Sequence, residues 1–518
     1  MGLHDGVFMP HLLAAALERN LDSPCVYLGD DVLTGRRVRD EISRYSQALR
    51  SLGIAKGSPI SVLSKNRPEV LFNSGAMMTV GCRATPLHPL GSLNDHAYTV
   101  EDAEIETLVF DPSFAERAEA LHDLFPSLRL LSFGPAPVGD DLLALAAGFS
   151  PAPLDIADLD AEDISGLSYT GGTTGKPKGV MGTYRSASTM TAIQMSEWQW
   201  PDDVRYLVCT PLSHAGAAFF IPTLLRGGCI VVLPGFEPGA VLEAIEKYRI
   251  TAMMLVPTML YVLLDHPDLD RRDLSSLQTI YYGAAAMSPT RLREAIERFG
   301  QIFFQYYGQA ECPMTVTVLR KEEHDVSRPE RLASCGRPVP WLHVALLDDD
   351  GNPVERGTPG EICVRGPMVM QGYWKKPEQT AEAFRFGWLH TGDVAKEDDE
   401  GFYTIVDRKK DMIVSGAFNV YPREVEDVLA THPGVAQAAV IGVPDEKWGE
   451  AVKAVIVRRP GADVDPDELI ALVKELKGSH CAPKTVEFAD SIPLSPLGKP
   501  DKKALRAAYW QGAERQVN

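Results

Sequence analysis

The chain has 518 residues, more than a single hydrophobic core supports, so we expect at least two domains. Hydrophobic residues make up 45% and charged residues 23%, which is the composition of a folded globular protein rather than a disordered one. The net charge of −19 argues against a nucleic acid partner, because an acidic surface repels the phosphate backbone.

Compartment and membrane association are also constrained by the sequence. None of the eight cysteines stands in a C-x-x-C pair, which argues against a zinc cage and a disulfide framework. The N-terminus carries Asp5 where a secretory signal would carry positive charge. The best apolar run, 251–264, is shorter than the roughly 20 residues of a membrane span. We therefore expect a cytoplasmic protein without a transmembrane segment, and leave peripheral membrane contact and oligomer formation open.

Helical and strand patterns alternate along the first part of the chain. In chain order, the apolar spacing predicts a helix over 43–52, a strand over 59–63, a helix over 73–80, a strand over 229–233, a helix over 240–248, strands over 252–256 and 278–282, and a helix over 289–299. Alternation of this kind predicts an α/β fold with mainly parallel sheets.

Two later regions have different patterns. Short apolar runs divided by turn signals predict a small antiparallel or barrel-like β unit over 339–406. After the charged cluster at 407–411, the pattern predicts a helix over 422–429, strands near 438–443 and 451–457, and a helix over 466–476. This second region reads as a compact α+β domain at the C-terminal end.

The segment 168–179, Ser-Tyr-Thr-Gly-Gly-Thr-Thr-Gly-Lys-Pro-Lys-Gly, is the most informative in the chain. Its glycines let the backbone come close to a ligand, its hydroxyls can donate hydrogen bonds, and its lysines add positive charge. It is not a Walker loop, because Pro177 follows Gly175-Lys176. The composition predicts a polyphosphate cradle, and a flexible linker is the alternative.

This loop resembles the phosphate loop of the adenylate-forming superfamily, which includes acyl-CoA synthetases, luciferases and peptide-synthetase adenylation domains. Further motifs resemble that family in its order, at 211–216, 282–285, 306–311, 388–393, 407–411, 415–419 and 496–499. Their wording is most similar to bacterial fatty-acid–CoA ligases. The resemblance implies a large N-terminal AMP-binding domain, 1–409, and a small mobile α+β domain, 410–518, that pivots near Lys410.

The resemblance also implies a role for each motif. Tyr307 would stack on adenine, Asp393 would hold the ribose, and Glu311 would bind Mg²⁺. His214 would line the carboxylate site of the substrate, and Lys499 would be the mobile catalytic lysine. The implied ATP-binding residues are Thr170, Gly171, Gly172, Thr173, Thr174, Gly175, Lys178, Gly283, Ala284, Ala285, Tyr307, Gly308, Gln309, Ala310, Glu311, Asp393, Arg408 and Lys499.

The implied reaction has two steps, in which ATP activates a carboxylic acid as its acyl-adenylate and coenzyme A then takes the acyl group. Coenzyme A would pass Gly416 and Ala417, with Trp448 stacked on its adenine. A fatty acid is the expected substrate, and an aryl or branched acid is the alternative. A stand-alone enzyme that loads a carrier protein is a second reading. A non-catalytic nucleotide-binding protein is a third, against which Lys499, Glu311 and Asp393 argue.

Overall fold

A computed structural model describes residues 6–170, 177–409, 411–415, 418–445, 448–494 and 500–510. The α-helices within these ranges are α1 Met9–Arg19, α2 Gly35–Ser51, α3 Pro68–Val80, α4 Leu93–Asp102, α5 Ala115–Leu124, α6 Leu142–Ala147, α7 Tyr184–Glu197, α8 Phe220–Leu225, α9 Pro238–Tyr248, α10 Pro257–Leu264, α11 Pro289–Phe299, α12 Pro329–Leu332, α13 Pro377–Ala383, α14 Pro422–Leu429, α15 Pro466–Lys477 and α16 Lys502–Ala507. None of them combines the length and apolarity that a membrane-spanning helix requires.

The strands of the same ranges are β1 Pro24–Leu28, β2 Asp31–Thr34, β3 Pro59–Leu63, β4 Arg83–Pro86, β5 Thr107–Phe110, β6 Arg129–Ser132, β7 Asp140–Asp141, β8 Ile164–Thr170, β9 Lys178–Thr183, β10 Arg205–Val208, β11 Cys229–Val232, β12 Ala252–Leu255, β13 Thr279–Tyr282, β14 Phe303–Gln309, β15 Cys312–Leu319, β16 Arg337–Pro338, β17 His343–Leu347, β18 Gly360–Arg365, β19 Leu389–Glu397, β20 Tyr403–Arg408, β21 Ile413–Ser415, β22 Phe418–Val420, β23 Val435–Asp445, β24 Gly449–Arg458 and β25 Thr485–Phe488.

Two large, mostly parallel sheets form the first part of the molecule. One has seven strands in the order β7-β6-β5-β3-β4-β8-β9, with an antiparallel pair only at β8–β9. The other has nine strands in the order β16-β15-β14-β13-β12-β10-β11-β1-β2, parallel from β14 to β1 and antiparallel at both ends. The predicted α/β fold with parallel-rich sheets is confirmed.

Two smaller sheets follow. The order β17-β18-β19-β20 is antiparallel throughout, as predicted for 339–406. The C-terminal sheet has the order β22-β21-β24-β23, with β25 added in parallel to β24, and α14 and α15 accompany it. An α+β unit therefore stands where the sequence predicts one, while the boundary at 409/410 stays a prediction.

The predicted helix bounds are exact in some places and short in others: α3 begins at Pro68 and α9 at Pro238, whereas the predicted starts are 73 and 240. Helices α11 and α14 have the predicted bounds, and both begin with proline, whose fixed φ suits the first helical turn. Helix α2 begins at Gly35 rather than at 43, because the Thr34 side chain caps it by accepting from Arg37 N. Its first two turns are rich in arginine, so the apolar pattern there is too sparse to detect.

An aromatic cluster fills the core beneath the carboxyl ends of the central strands. Trp198 stacks on Tyr306 with ring centroids 4.8 Å apart, and Phe219 stacks on Tyr206 at 4.6 Å. The Trp198 indole donates to Thr315 Oγ1 at 3.0 Å, so its polar group is satisfied. All eight cysteines are also buried and unbridged.

The nine-stranded and four-stranded sheets meet at Gly336. Tyr403 N donates to Gly336 O and Cys335 N donates to Tyr403 O, both at 2.8 Å. Gly336 has a φ of +90°, and a Cβ there would lie 1.9 Å from the Val318 carbonyl oxygen. This joint fixes β20 relative to β15, so it also positions the side chains that follow on β20.

We predict that Gly336→Ala lowers the free energy of unfolding by about 3 kcal/mol, since it adds both backbone strain and a backbone clash. Chemical denaturation would measure this loss. The matched control is Gly357→Ala, which has a similar φ of +81° but open space around the added Cβ, and should cost only about 1 kcal/mol. Equal losses in the two variants would contradict the clash.

Candidate active site

A buried carboxylate, Asp393 on β19, collects donors from two sheets. Its Oδ2 accepts from Tyr307 Oη at 2.7 Å and from Gln309 Nε2 at 2.6 Å, and both donors lie on β14. Its Oδ1 lies 3.3 Å from Arg408 Nε on β20. Burial and the Asp393 charge raise the pKa of Tyr307 well above its usual range, so the phenol stays a neutral donor. We call Asp393, Tyr307, Gln309 and Arg408 the Asp393 cluster.

The turn after β14 presents Glu311. Gln309 pairs with Cys312, so Ala310 and Glu311 form the connection between β14 and β15. A Cβ on Gly308 would lie 2.8 Å from the Cys312 carbonyl oxygen, so only glycine allows this tight return. The motif 306–311 therefore carries two members of the Asp393 cluster, Tyr307 and Gln309, on its strand and a carboxylate on its turn.

Lys178 and Glu311 are brought together by Tyr373. Tyr373 Oη donates to Glu311 Oε1 at 2.9 Å, and Lys178 Nζ lies 4.6 Å from the centroid of the Tyr373 ring. The backbone supports this arrangement, because Val180 forms an antiparallel bridge with Tyr373 and Met370 N donates to Glu311 O at 2.8 Å. Tyr373 was not among the predicted site residues, although it lies between two of them.

The backbone after β13 turns sharply beside β14. A Cβ on Gly283 would lie 2.5 Å from the Tyr306 carbonyl oxygen. Ala284 has a φ of +65°, which is uncommon for a residue with a side chain and is typical of functional sites. The strip 283–285 thus lies at the carboxyl end of a parallel strand, where α/β sheets bind their ligands.

His214 stands at the carboxyl end of β10, in a loop that Asn66 holds from the other large sheet. Asn66 Nδ2 donates to Thr210 O at 2.9 Å, and its Oδ1 accepts from Leu212 N at 2.8 Å. Nδ1 of His214 lies 2.9 Å from Ser213 Oγ, and its ring meets the His88 ring edge to face, 4.8 Å between centroids. Sequence reasoning missed both Asn66 and His88. Asn66 follows the predicted strand 59–63, whereas His88 follows β4, which the apolar pattern did not predict.

Family models match nearly the whole chain. The model described as AMP-binding enzyme matches residues 13–374, and the one described as AMP-binding enzyme C-terminal domain matches residues 424–499. This chain belongs to the AMP-binding enzyme family. The resemblance to the adenylate-forming superfamily is thereby confirmed, and so is the expectation of an enzyme.

Individual relatives of this AMP-binding enzyme cover it almost end to end. The medium/long-chain-fatty-acid–CoA ligase FadD8 of Mycobacterium tuberculosis is 57% identical over 98% of this chain and 91% of that one. The solved amide bond synthetase McbA from Marinactinospora thermotolerans is 38% identical, with a TM-score of 0.89 over 96% of this chain and 99% of that one. ATP-bound MatB from Rhodopseudomonas palustris is 30% identical, with a TM-score of 0.87 over 96% and 98%.

The residues predicted for this AMP-binding enzyme divide into two groups. The first group lies at the carboxyl ends of the large-sheet strands or in the Asp393 cluster, and its members are His214, Gly283, Ala284, Ala285, Tyr307, Gly308, Gln309, Ala310, Glu311, Asp393 and Arg408. Lys178 begins β9. Thr170 ends β8, opposite Lys178. Those outside the described residues are Gly171, Gly172, Thr173, Thr174, Gly175, Lys410, Gly416, Ala417 and Lys499. The ligand-binding roles in both groups stay predictions.

Trp448 lies in the turn between β23 and β24 of the C-terminal sheet. Its backbone N–H donates to Asp445 Oδ1 at 2.9 Å, and 39% of the residue is exposed. A tryptophan exposed on a turn can offer an aromatic face to a ligand.

Helix α16 contacts the chain on both sides of the predicted hinge, Lys410. Lys502 Nζ lies 2.8 Å from Glu426 Oε1 and 3.9 Å from Asp407 Oδ2. Arg506 Nη1 lies 2.8 Å from Asp411 Oδ1. Asp407 and Asp411 are thus both paired with one short helix. The sequence places these two residues in the motif 407–411, but it gives no sign of Lys502, Glu426 or Arg506.

The Asp407 carboxylate is buried at the junction of the two domains. It accepts from Arg408 N at 2.6 Å and from Arg423 N at 3.1 Å, while the Arg423 side chain donates to Met287 O at 2.7 Å in the nine-stranded unit. Burial, together with the charges of Glu426 and Asp411, raises the pKa of Asp407 from 3.8 to about 6, against the opposing effect of Lys502.

We predict a pH-dependent difference in stability between Asp407→Asn and the wild type. The folded protein holds the Asp407 proton more tightly than the unfolded chain, so the wild type loses stability as pH rises through about 4 to 6. Relative to the variant, the loss should reach about 3 kcal/mol by neutral pH. Denaturation of both proteins at several pH values measures it. Asp490→Asn, at an exposed position, is the control. A difference between Asp407→Asn and wild type that stays constant with pH would contradict the raised pKa of Asp407.

Proposed function

We propose that this protein is an ATP-dependent acid–thiol ligase that joins a fatty acid to AMP and transfers the acyl group to coenzyme A. The observation that carries the proposal is the arrangement of Asp393, Tyr307 and Glu311 around the end of β14. It occurs in a chain that is 57% identical to a medium/long-chain-fatty-acid–CoA ligase.

The Asp393 cluster suits a nucleoside. A carboxylate has about four acceptor positions, and Tyr307, Gln309 and Arg408 are the donors beside this one, so a ribose hydroxyl finds an acceptor already held in place. The Tyr307 hydroxyl is bound to Asp393, which fixes the orientation of the ring on which we assign the adenine to stack. The solved relative MatB binds ATP, which supports ATP as the nucleotide of this family member.

Glu311 and Lys178 suit the phosphates and their metal ion. Mg²⁺ prefers oxygen ligands and keeps several waters, so one carboxylate and the ATP phosphates are a sufficient set. Glu311 offers such a carboxylate, held by Tyr373 in a single orientation. When bound there, Mg²⁺ would supply positive charge against the phosphate oxygens.

The first step needs charge neutralisation rather than a base. The acid is ionised at neutral pH, and its oxygen must attack the α-phosphorus of an anion while the bond to pyrophosphate breaks. Lys178, the glycine-rich loop and Lys499 are assigned to offset this repulsion, and His214 to orient the attacking carboxylate. The products are acyl-adenylate and pyrophosphate.

In the second step the sulfur of coenzyme A attacks the acyl carbon, and AMP leaves. We assign Gly416 and Ala417 to the passage for the pantetheine arm, and Trp448 to stacking on the coenzyme A adenine. Rotation of the C-terminal domain about Lys410 would move Lys499 away from the acyl-adenylate and bring the passage for the pantetheine arm to it.

The acyl acceptor separates this proposal from its alternatives. A carrier protein offers no adenine that could stack on Trp448. The exposed ring of Trp448 therefore favours coenzyme A as the acyl acceptor. The relative McbA is an amide bond synthetase, so an amine is a further acceptor to test. We also propose that the protein works in the cytoplasm, because its eight unbridged cysteines suit a reducing compartment.

We predict that the enzyme, given ATP and Mg²⁺, forms acyl-CoA from coenzyme A and fatty acids, which mass spectrometry of the products would detect. The acids should run from acetate to palmitate and include benzoate and a branched acid. Each acid should be offered coenzyme A, a phosphopantetheinylated carrier protein or an amine. Acyl-adenylate with a thioester formed only on the carrier protein would support an enzyme that loads a carrier. Formation of an amide would support an amine as the acceptor. Absence of any acyl-adenylate would contradict the proposal.

We predict that Lys499→Ala slows acyl-adenylate formation by about a hundredfold or more, because the charge on the transferring phosphoryl group is lost. Thioester formation from supplied acyl-adenylate should change by no more than about threefold, because that step does not use this lysine. Single-turnover assays of each half-reaction measure the split.

Lys503→Ala is the matched control, since Lys503 is an exposed lysine four positions further along. Comparable losses in both half-reactions of Lys499→Ala would show a structural effect and contradict the assigned role.

A further inference from the structure

A directed series of hydrogen bonds runs through the loop that follows β4. Arg117 Nη1 donates to His96 Nδ1 at 3.0 Å and to Gly91 O at 2.8 Å. A guanidinium can only donate, so His96 Nδ1 is the acceptor, and a neutral His96 carries its proton on Nε2. That Nε2 lies 2.8 Å from His88 O and donates to it. Burial lowers the pKa of His96, which favours this neutral form.

The same reasoning fixes the tautomer of His88. The Leu90 N–H donates to His88 Nδ1 at 3.1 Å, so Nδ1 carries no proton. Burial, with the nearby His96, lowers the pKa of His88, and the neutral ring therefore carries its proton on Nε2. The series that starts at Arg117 thus reaches the backbone oxygen of His88, and the ring of the same residue separately carries this N–H group.

His88 Nε2 is buried and has no hydrogen-bond partner among the described residues. A buried donor without a partner costs free energy, and such groups occur where a ligand supplies the missing acceptor. The rings of His88 and His214 meet edge to face, with 4.8 Å between their centroids and 72° between their planes. The free donor therefore lies beside the residue that the proposed function assigns to the acid.

We propose that His88 is a substrate-positioning residue whose Nε2–H donates to an oxygen of the substrate carboxylate and then to the acyl oxygen of the adenylate. This inference rests on the proposed function. An anionic oxygen is the favoured acceptor, because a charge-assisted hydrogen bond is stronger than a neutral one. His88 and His214 would hold the carboxylate from two sheets, since His88 follows β4 and His214 follows β10.

The variants His88→Leu and His88→Asn test the donor. Leucine removes it, whereas asparagine keeps an amide donor and can accept from Leu90 N in an Asx turn. His266→Leu is the matched control, because His266 Nδ1 also accepts from a backbone N–H two residues on, that of Asp268, at 3.2 Å. The probes are AMP and decanoyl-sulfamoyl-adenosine, a stable acyl-adenylate mimic, with dissociation constants measured by calorimetry.

We expect His88→Leu to weaken binding of the mimic about tenfold while AMP binding changes less than about twofold. His88→Asn should recover most of that loss, and His266→Leu should bind both probes like the wild type. Without ligand, His88→Leu should melt no lower than His266→Leu, because no partner of Nε2 is lost.

Two outcomes would overturn the inference alone: unchanged binding of the mimic by His88→Leu, or an equal loss for AMP and mimic. If the wild type binds AMP but not the mimic, the proposed function fails, and the role of His88 fails with it.

Discussion

The arrangement of the candidate site depends on the hydrogen bonds and the ion pair that the buried Asp393 carboxylate makes. Its donors come from β14 of the nine-stranded sheet and from β20 of the four-stranded one, so a single buried carboxylate joins the two. A buried charge is tolerated only while its hydrogen bonds persist, which requires the sheets to keep their relative position. The joint at Gly336 supplies that rigidity from the backbone.

Much of this architecture could be predicted from the sequence, for identifiable reasons. Helices α11 and α14 begin at proline and show apolar residues at helical spacing, so their bounds could be predicted. The motifs that contain Tyr307 and Asp393 were recognised by their order along the chain. The resemblance implies that both residues bind the same nucleotide. It does not show that they touch each other, because 86 positions separate them in the sequence.

Other contacts could not be predicted, because they depend on strand order. His88 meets His214 only where the carboxyl ends of β4 and β10, in different sheets, face each other. Lys502 reaches Glu426 and Asp407 only after α16 packs at the domain junction. A histidine after a strand or a lysine in a late helix is, in sequence alone, indistinguishable from a solvated residue.

The burial of every cysteine has a consequence for an enzyme that holds an activated acyl group. An acyl-adenylate reacts with any thiolate within reach, including one that belongs to the protein. Burial raises the pKa of the thiols of Cys25, Cys82, Cys209, Cys335 and Cys363 to about 12, and also raises those of Cys229, Cys312 and Cys481. Burial and the raised pKa values thereby disfavour acylation of the protein's own cysteines, which leaves the sulfur of coenzyme A as the accessible thiol.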